Sequence, residues 1–335
     1  MISFRLPAVK ILIPVLLSIP LFCNGQIFTE ETLLARLKSG GSITEEALSK
    51  RSVVLHSHSF TSNQLLSIHE NLIRAGFDAV AYFKIDGVLA GGDVAQSYAE
   101  YFAKREISNL IVIQKLTTGY TIYVTSFNGM EGFVNPDQSA WSAQSTSLNE
   151  ALNVVYRSAL ASNKKKNLLI NEIPEIDLPV RVIDGERAEM FGFDLKVDKL
   201  AVPNFENPEL DKRLEEVLKT YPFRYQLTNH TVPDKELRAQ GFLYVLCFVY
   251  TRSSIAKELL GYPVSKSESA FVSVTYPNGQ LQLKTITADT PVYKFYVRHI
   301  DSGNVFLGTK WDAETTWEQA LQNFIKGLKA ELRIN

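Results

Sequence analysis

Cysteine is nearly absent from this chain, which has only two cysteines, Cys23 and Cys247, among its 335 residues. Because Cys23 lies in an N-terminal segment that we expect to be removed, an intrachain disulfide is excluded even in an oxidising compartment. Cys247 stands in the apolar stretch FLYVLCFVY, which favours a buried, unreactive thiol over a nucleophile. We therefore expect neither a disulfide nor a catalytic cysteine in the mature protein.

The sequence also lacks a strong net charge and, beyond residue 25, a long apolar run. A formal net charge of −1 provides no general field that would attract nucleic acid or an anionic membrane. No later apolar segment approaches the roughly 20 residues that a transmembrane helix requires. The hydrophobic content of 45% and the charged content of 21% are those of an ordinary globular protein. We therefore predict no nucleic-acid partner and no transmembrane segment after the N-terminal region.

The N-terminal region, residues 1–25, has the pattern of a signal peptide. Two basic residues precede an apolar run over residues 11–22 that is too short, and too interrupted by proline, to span a bilayer comfortably. Cleavage after Gly25 would make Gln26 the first residue of the mature protein. A lipoprotein with Cys23 acylated is the alternative. We expect export to the periplasm or the medium, with association with the outer membrane as a further alternative.

The remaining part of the chain carries the same pattern twice. Residues 120–129, YTIYVTSFNG, align with residues 293–303, YKFYVRHIDSG. Residues 141–160, which begin WSAQ, align with residues 311–328, which begin WDAE. Because such matches occur in the same order in both halves, they indicate a tandem duplication of one β-α-β-α-β-β-α unit.

The duplication predicts the organisation of the chain into two similar domains. We assign residues 26–161 to the first domain, residues 162–196 to a connecting segment and residues 197–335 to the second domain. Strands alternate with helices early in each unit, and two adjacent strands follow. We therefore predict an α/β fold in which each domain is a mixed sheet with helices packed on it.

One short motif resembles the nucleophile loop of the haloacid dehalogenase superfamily. The stretch AYFKIDGVLAGG contains Asp86, Gly87 and Leu89 at the positions that this superfamily uses after its catalytic aspartate. Lys84 occupies the position of that aspartate, and an amine cannot form a phospho-aspartate intermediate. We therefore interpret the motif as a strand that leaves the core into a glycine turn, with Asp93 capping the next helix.

Two histidines are the remaining candidates for chemistry. His56 and His58 are separated by one residue in a predicted strand, so both side chains would point to one face, as metal-dependent amidohydrolases require. The other histidines of the chain stand in no second ligand motif. The sequence contains no G-x-S-x-G nucleophile motif and no dinucleotide-binding motif, so we predict no cofactor and assign no catalytic residue.

The second unit resembles the small α/β domains of bacterial envelope proteins, such as the N-terminal domain of TolB. The resemblance rests on the strands KLAVPNF and GFLYVLCFVY and on the hairpin YKFYVRHIDSGNVFLGTKWD, which an amphipathic helix follows. It implies a role in envelope assembly and the binding of protein partners, and it supplies no catalytic residue.

Two functional hypotheses follow from the sequence. The first is an exported, non-catalytic envelope protein that binds a protein partner or a small ligand in the groove between its two domains, since clefts at domain interfaces are common ligand sites. The alternative is a metal-dependent hydrolase that uses His56 and His58 as metal ligands.

Overall fold

A computed structural model describes residues 29–43, 46–162, 167–265 and 267–334. The predicted signal peptide, with Cys23 and the expected new N-terminus at Gln26, lies outside the described residues. Among the residues that are described, every helix is too short or too polar to span a bilayer.

The first half of the chain alternates helices and strands. Its described helices are α1 (Glu30–Ala35), α2 (Ser62–Ala75), α3 (Ile85–Val88), α4 (Gly92–Lys104) and α5 (Leu148–Ala161). Its described strands are β1 (Leu37–Ser39), β2 (Arg51–His56), β3 (Asp78–Lys84), β4 (Ile107–Leu116), β5 (Gly119–Ser126), β6 (Gln138–Ser145) and β7 (Glu175–Ile176).

The second half repeats this alternation. Its described helices are α6 (Pro208–Leu218), α7 (Asp234–Ala239), α8 (Ser253–Leu259) and α9 (Trp317–Glu331). Its described strands are β8 (Arg187–Ala188), β9 (Leu200–Pro203), β10 (Tyr225–Thr228), β11 (Tyr244–Arg252), β12 (Ala270–Thr275), β13 (Gln282–Thr287), β14 (Pro291–His299) and β15 (Val305–Phe306).

The two halves form sheets with the same strand order, except that the first sheet has β7 as an additional edge strand. The first sheet runs β1-β6-β5-β4-β2-β3-β7, and the second runs β8-β15-β14-β11-β9-β10. In the first sheet β2 is parallel to β3 and β4, whereas β4 and β5, and β5 and β6, are antiparallel. In the second sheet β9 is parallel to β10 and β11, whereas β11 and β14, and β14 and β15, are antiparallel. The predicted α/β fold with two similar halves and mixed sheets is confirmed.

Local sequence signals explain where the equivalent helices α2 and α6 begin and where α2 ends. Thr61 caps α2, and Thr61 and Gln64 form a reciprocal capping box. Gly76 ends α2 in the left-handed conformation, with a φ of 94°, which costs glycine little. Asn207 caps α6 and Pro208 occupies its first turn, where a missing N–H does no harm.

The first unit contains a strand that the sequence pattern did not predict. Strand β6 lies between the predicted fourth strand and the closing helix. Its sequence, QSAWSAQS, is rich in serine and glutamine, and Trp141 is its one residue of the β-branched and aromatic types that are typical of a strand. The pairing of β6 with β5 over five residues, from Tyr120–Ser145 to Val124–Trp141, holds it in the sheet.

Three hydrophobic clusters hold the molecule together. One lies between the first sheet and helices α2 and α5, and another lies between the second sheet and helices α6 and α9. The third cluster contains residues from both halves, including Val53 and Leu55 from β2 and Val245 and Cys247 from β11. The inner faces of the two sheets therefore share one core, and helix α4 of the first domain packs against β11 of the second.

The connecting segment ties the two sheets together. Its strand β7 pairs in parallel with β3 at the edge of the first sheet. Its strand β8 pairs in parallel with β15 at the edge of the second sheet. Between these strands, Val180, Val182 and Ile183 pack against the shared core. The segment over residues 162–196 thus contributes an edge strand to each domain.

Candidate binding site

The structure separates the two histidines that the sequence placed on one strand. Strand β2 ends at His56, and His58 lies in the turn that follows. The prediction that both side chains point from one strand to one face is therefore wrong, because the strand geometry does not extend to His58. Both residues nevertheless lie at the carboxyl end of the parallel strands, where α/β proteins commonly bind ligands.

His56 is buried, with 1% of its surface exposed. Its Nδ1 atom lies 2.9 Å from the carbonyl oxygen of Ser57, and its Nε2 atom lies 3.9 Å from Oδ1 of Asp177, in the connecting segment. The Nζ atom of Lys84 lies 3.5 Å from Oδ2 of the same carboxylate. Burial lowers the pKa of His56, and the negative charge of the nearby Asp177 opposes this shift only in part. The neutral imidazole is therefore favoured at neutral pH.

His58 belongs to a different ion cluster. Its Nδ1 atom lies 4.0 Å from Oδ2 of Asp86, and that oxygen accepts a hydrogen bond of 2.8 Å from Nε of Arg252 in the second domain. Burial and the positive charge of Arg252 lower the pKa of His58, whereas Asp86 raises it. The dehalogenase-like motif thus supplies an aspartate that bridges the two domains.

The described residues contain no group of three or more His, Cys, Asp or Glu side chains arranged to hold a metal ion. The metal hypothesis therefore rests on His56 and His58 alone and stays a prediction.

A cleft of about 580 Å³ lies between the two domains. One wall comes from α4, with Asp93, Gln96 and Glu100, and from the turn after β5 that carries Glu131. The other wall comes from the carboxyl ends of β9 and β10, the start of α7 and the inner face of β11. Residues from both copies of the repeat therefore line this cleft.

Arg298, on β14, organises the charged part of the cleft. Its Nε atom donates to Asp93 at 3.0 Å, and its two Nη atoms donate to Asp234 at 2.6 and 3.0 Å. Burial alone would lower the pKa of Arg298, but the two carboxylates raise it above its ordinary value. The arrangement fixes α4 of one domain against α7 and β14 of the other.

Asp93 does not cap helix α4 as the sequence predicted. Gly91, which has no side chain that could cap the helix, occupies the capping position. Asp93 lies in the first turn. Its carboxylate accepts from Arg298 and, at 3.2 Å, from the hydroxyl of Tyr296. The Asp93 carboxylate, to which the sequence pattern assigned the role of helix cap, therefore binds Arg298 and Tyr296 of the second domain instead.

Two further groups in the cleft lack a strong polar partner. Burial raises the pKa of the half-buried Glu131; Asp93 adds to this effect, and His230 and Arg36 oppose it. Thr228 is 8% exposed, and its hydroxyl forms no hydrogen bond with the residues that the structure describes. Because Thr228 alternates with Leu227, which packs on the outer cluster, its side chain lies on the inner face of the sheet.

The floor of the cleft is apolar. Val245 and Cys247, from β11, and Leu237, from α7, are buried there. Burial raises the pKa of the Cys247 thiol well above its ordinary value, so the thiolate is scarce at neutral pH. The prediction of a buried cysteine is confirmed.

A second cleft, of about 610 Å³, lies beside the connecting segment. Lys84 in this cleft pairs with Asp177, Arg181 donates to the carbonyl oxygens of Ile183 and Asp184, and Glu258 is exposed to solvent. The cleft beside Asp93 is therefore the better candidate for a ligand.

The sequence located only part of this arrangement. It singled out Asp86 and Asp93 through one motif, but the structure joins Asp86 to Arg252 and Asp93 to Arg298. The sequence did contain a signal that could have pointed to Arg298, because this residue places a charge in the largely apolar strand YKFYVRH. Glu131 and Thr228 carry no comparable signal, because their role depends on how the two domains meet.

In comparisons with known proteins, no family model and no curated protein matches the chain.

Proposed function

We propose that this chain is an exported, non-catalytic binding protein of the bacterial envelope that holds a small ligand or a segment of a partner protein in the cleft between its two domains. The observation that carries the proposal is the cleft of about 580 Å³, which both domains line. Its size and its combination of an apolar floor with a few polar groups are typical of ligand sites.

The fixed position of the cleft walls supports a binding role. The shared hydrophobic cluster joins the two sheets, and the bidentate contact of Arg298 with Asp234 adds a charged link beside the cleft. A site whose walls are already in place loses less conformational entropy when a ligand binds. The cleft therefore needs no folding event before it can accept a ligand.

The signal-like N-terminal segment and the resemblance to envelope domains of the TolB type support the proposed location. In that setting a protein partner would be another envelope protein. The duplicated fold supports the same view, because two related domains that share a core form a preformed groove at their junction.

The alternative remains a metal-dependent hydrolase that uses His56 and His58. The two proposals differ in metal content. Zinc or manganese bound in a one-to-one ratio by the purified protein, and lost in the double variant His56→Ala with His58→Ala, would favour the hydrolase.

A cleft-narrowing variant tests the binding proposal. Gln96 is an exposed residue of α4 that lines the cleft, so Gln96→Trp narrows the opening without disturbing the core. Gln322→Trp, at an exposed position of α9, is the matched control. We expect Gln96→Trp, and not the control, to lose partners or ligands that wild-type protein retains from an envelope extract. Equal retention by both variants would argue against the cleft.

A further inference from the structure

The ionisable side chains that line the interdomain cleft carry more negative than positive charge. Among the described lining residues, Asp93, Glu100, Glu131 and Asp234 supply carboxylates, Arg298 supplies the guanidinium, and His230 supplies an imidazole whose Nδ1 atom lies 3.4 Å from Oε1 of Glu206. Arg298 is shared between Asp93 and Asp234, so this group has two carboxylates for one cation. Lys104 lies 3.9 Å from Glu100 on the exposed side of α4, where solvent weakens the pair. The cleft therefore has a surplus of negative charge.

Glu131 is the carboxylate with the fewest partners. No salt bridge joins it to any residue that the structure describes, while Asp234, in the opposite wall, accepts two hydrogen bonds from Arg298. His230 and Arg36 act on this half-buried carboxylate without forming a salt bridge with it. A carboxylate with no cation in direct contact is incompletely compensated for its burial, and an added cation would relieve that cost.

The buried hydroxyl of Thr228 is a second, independent sign of a missing partner. Its oxygen has no hydrogen-bond partner among the described residues, although the residue lines the cleft and is 8% exposed. Buried polar atoms almost always have a hydrogen-bond partner, in the protein, in ordered water or in a bound group. A hydroxyl oxygen accepts hydrogen bonds from N–H donors.

The apolar floor completes a pattern that suits a cation on an alkyl chain. Val232, Leu237 and Val245 line the cleft beneath the acidic groups. Lysine and arginine side chains bury their methylene stems against apolar surface and keep the charged head among polar groups. An anion would meet the surplus negative charge, and a purely apolar ligand would leave Glu131 and Thr228 without partners.

We propose that the interdomain cleft binds an organic cation, an ammonium or guanidinium group on an alkyl chain, with Glu131 as its main counter-charge and the hydroxyl of Thr228 as a hydrogen-bond acceptor. This inference rests on the proposed binding function and specifies the chemistry of its ligand. The cation is either a free small molecule or a lysine or arginine side chain of a partner.

Isothermal titration calorimetry of the mature full chain tests the proposal with three probes. The probes are agmatine, the peptide acetyl-Gly-Gly-Arg-Gly-Gly-amide and the same peptide with citrulline in place of arginine. Citrulline keeps the shape of arginine without its charge. We expect at least one cationic probe to bind, and the citrulline peptide to bind at least about tenfold more weakly than the arginine peptide if that peptide binds. Binding of agmatine identifies a free cation as sufficient, whereas binding of the arginine peptide alone points to a side chain.

Two matched variants assign the effect to the cleft. Glu131→Gln removes one charge at a residue without a salt bridge, so the variant is expected to fold, and it should weaken cation binding about tenfold. Glu215→Gln makes the same change of net charge at an exposed position of α6, outside the cleft, and should leave binding unchanged. Failure of both cationic probes to bind, equal binding of the citrulline and arginine peptides, or an equal effect of both variants would overturn the proposal.

The failure of this inference can be separated from the failure of the binding function. If Gln96→Trp abolishes retention of an envelope partner while Glu131→Gln does not affect it, the cleft still binds and only the cation assignment is wrong. If neither variant affects retention and neither cationic probe binds, both proposals fail.

Discussion

The backbone N–H of Tyr250, in the second domain, donates a hydrogen bond of 2.6 Å to the carbonyl oxygen of Ala90, in the first domain. The next residue, Gly91, approaches the same strand so closely that a Cβ atom on it would lie 2.5 Å from the carbonyl oxygen of Phe248. Because the opposing atom belongs to the backbone of β11, it cannot move aside as a flexible side chain could. The glycine turn in AYFKIDGVLAGG therefore permits contact between the domains.

The variant Gly91→Ala tests this explanation. We expect it to lower the free energy of unfolding by about 1–3 kcal/mol and to accelerate hydrogen exchange at the Tyr250 amide, because the added methyl group separates α4 from β11. Urea denaturation and hydrogen-exchange mass spectrometry measure the two effects. The control is Gly92→Ala, where no atom lies within 4 Å of the added Cβ. Equal destabilisation by both substitutions would show that the close approach to Phe248 is not the cause.

Much of the fold could be predicted because its signals are local. The helical spacing in α2, the cap at Thr61 and the proline at the start of α6 depend only on neighbouring residues. The short edge strands β7 and β8 could not be predicted, because two residues carry no periodic pattern. They exist because β3 and β15 offer unpaired edges to the connecting segment.

The candidate site was harder to predict than the fold. Asp93 and Arg298 are 205 positions apart in sequence and meet only because the two inner sheet faces share a core. The sequence singled out His56 because histidines are few and often functional. Its neighbour Asp177 lies in the connecting segment and belongs to no sequence motif, so it could not be predicted. Sequence periodicity predicts which face of an element is buried, and it does not predict which domain will cover that face.

The position of the mature N-terminus is a separate prediction. If residues 1–25 are a signal peptide, protein recovered from the cell envelope should begin at Gln26, because the small Gly25 suits the cleavage site. Intact-mass measurement with N-terminal sequencing checks this. A lipid-modified Cys23 at the N-terminus would support the lipoprotein alternative, and a chain that begins at Met1 would contradict export with cleavage.

A buried ion pair distinguishes the second repeat from the first. Lys294 is fully buried, and its Nζ atom lies 2.6 Å from Oδ1 of Asp312 and donates a hydrogen bond of 2.7 Å to the carbonyl oxygen of Leu307. The alignment of the repeats places Thr121 and Ser142 at the corresponding positions of the first domain. The scaffold therefore accepts either two charged or two uncharged side chains at these positions.

We expect Lys294→Thr alone to cost about 3–5 kcal/mol of stability, because Asp312 would remain buried without its cation. The double variant, Lys294→Thr with Asp312→Ser, places the uncharged residues of the first repeat at both positions and should recover most of that loss. Urea unfolding of the wild type, both single variants and the double variant gives the coupling energy of the pair. A double variant that is no more stable than Lys294→Thr would contradict this account.

Acid should destabilise the protein partly through His56. Because burial lowers the pKa of His56 in the folded state, the unfolded chain binds a proton more readily than the folded chain in the window below the ordinary histidine pKa of about 6.5. The free energy of unfolding therefore rises with pH across this window and levels off above it. His58 and His69, whose pKa values burial also lowers, act in the same direction.

The variant His56→Asn removes this titration and offers an amide N–H to the carbonyl oxygen of Ser57, which Nδ1 contacts in the wild type. We expect its free energy of unfolding to vary less with pH than that of the wild type between about pH 5 and pH 7.5, a range in which ordinary carboxylates are largely ionised. Urea denaturation at several pH values measures the slope. His58→Asn is the control, and it should retain most of the slope because His58 is less buried than His56. If His56→Asn keeps the full slope of the wild type, the imidazole of His56 is not the group whose protonation the folded protein resists.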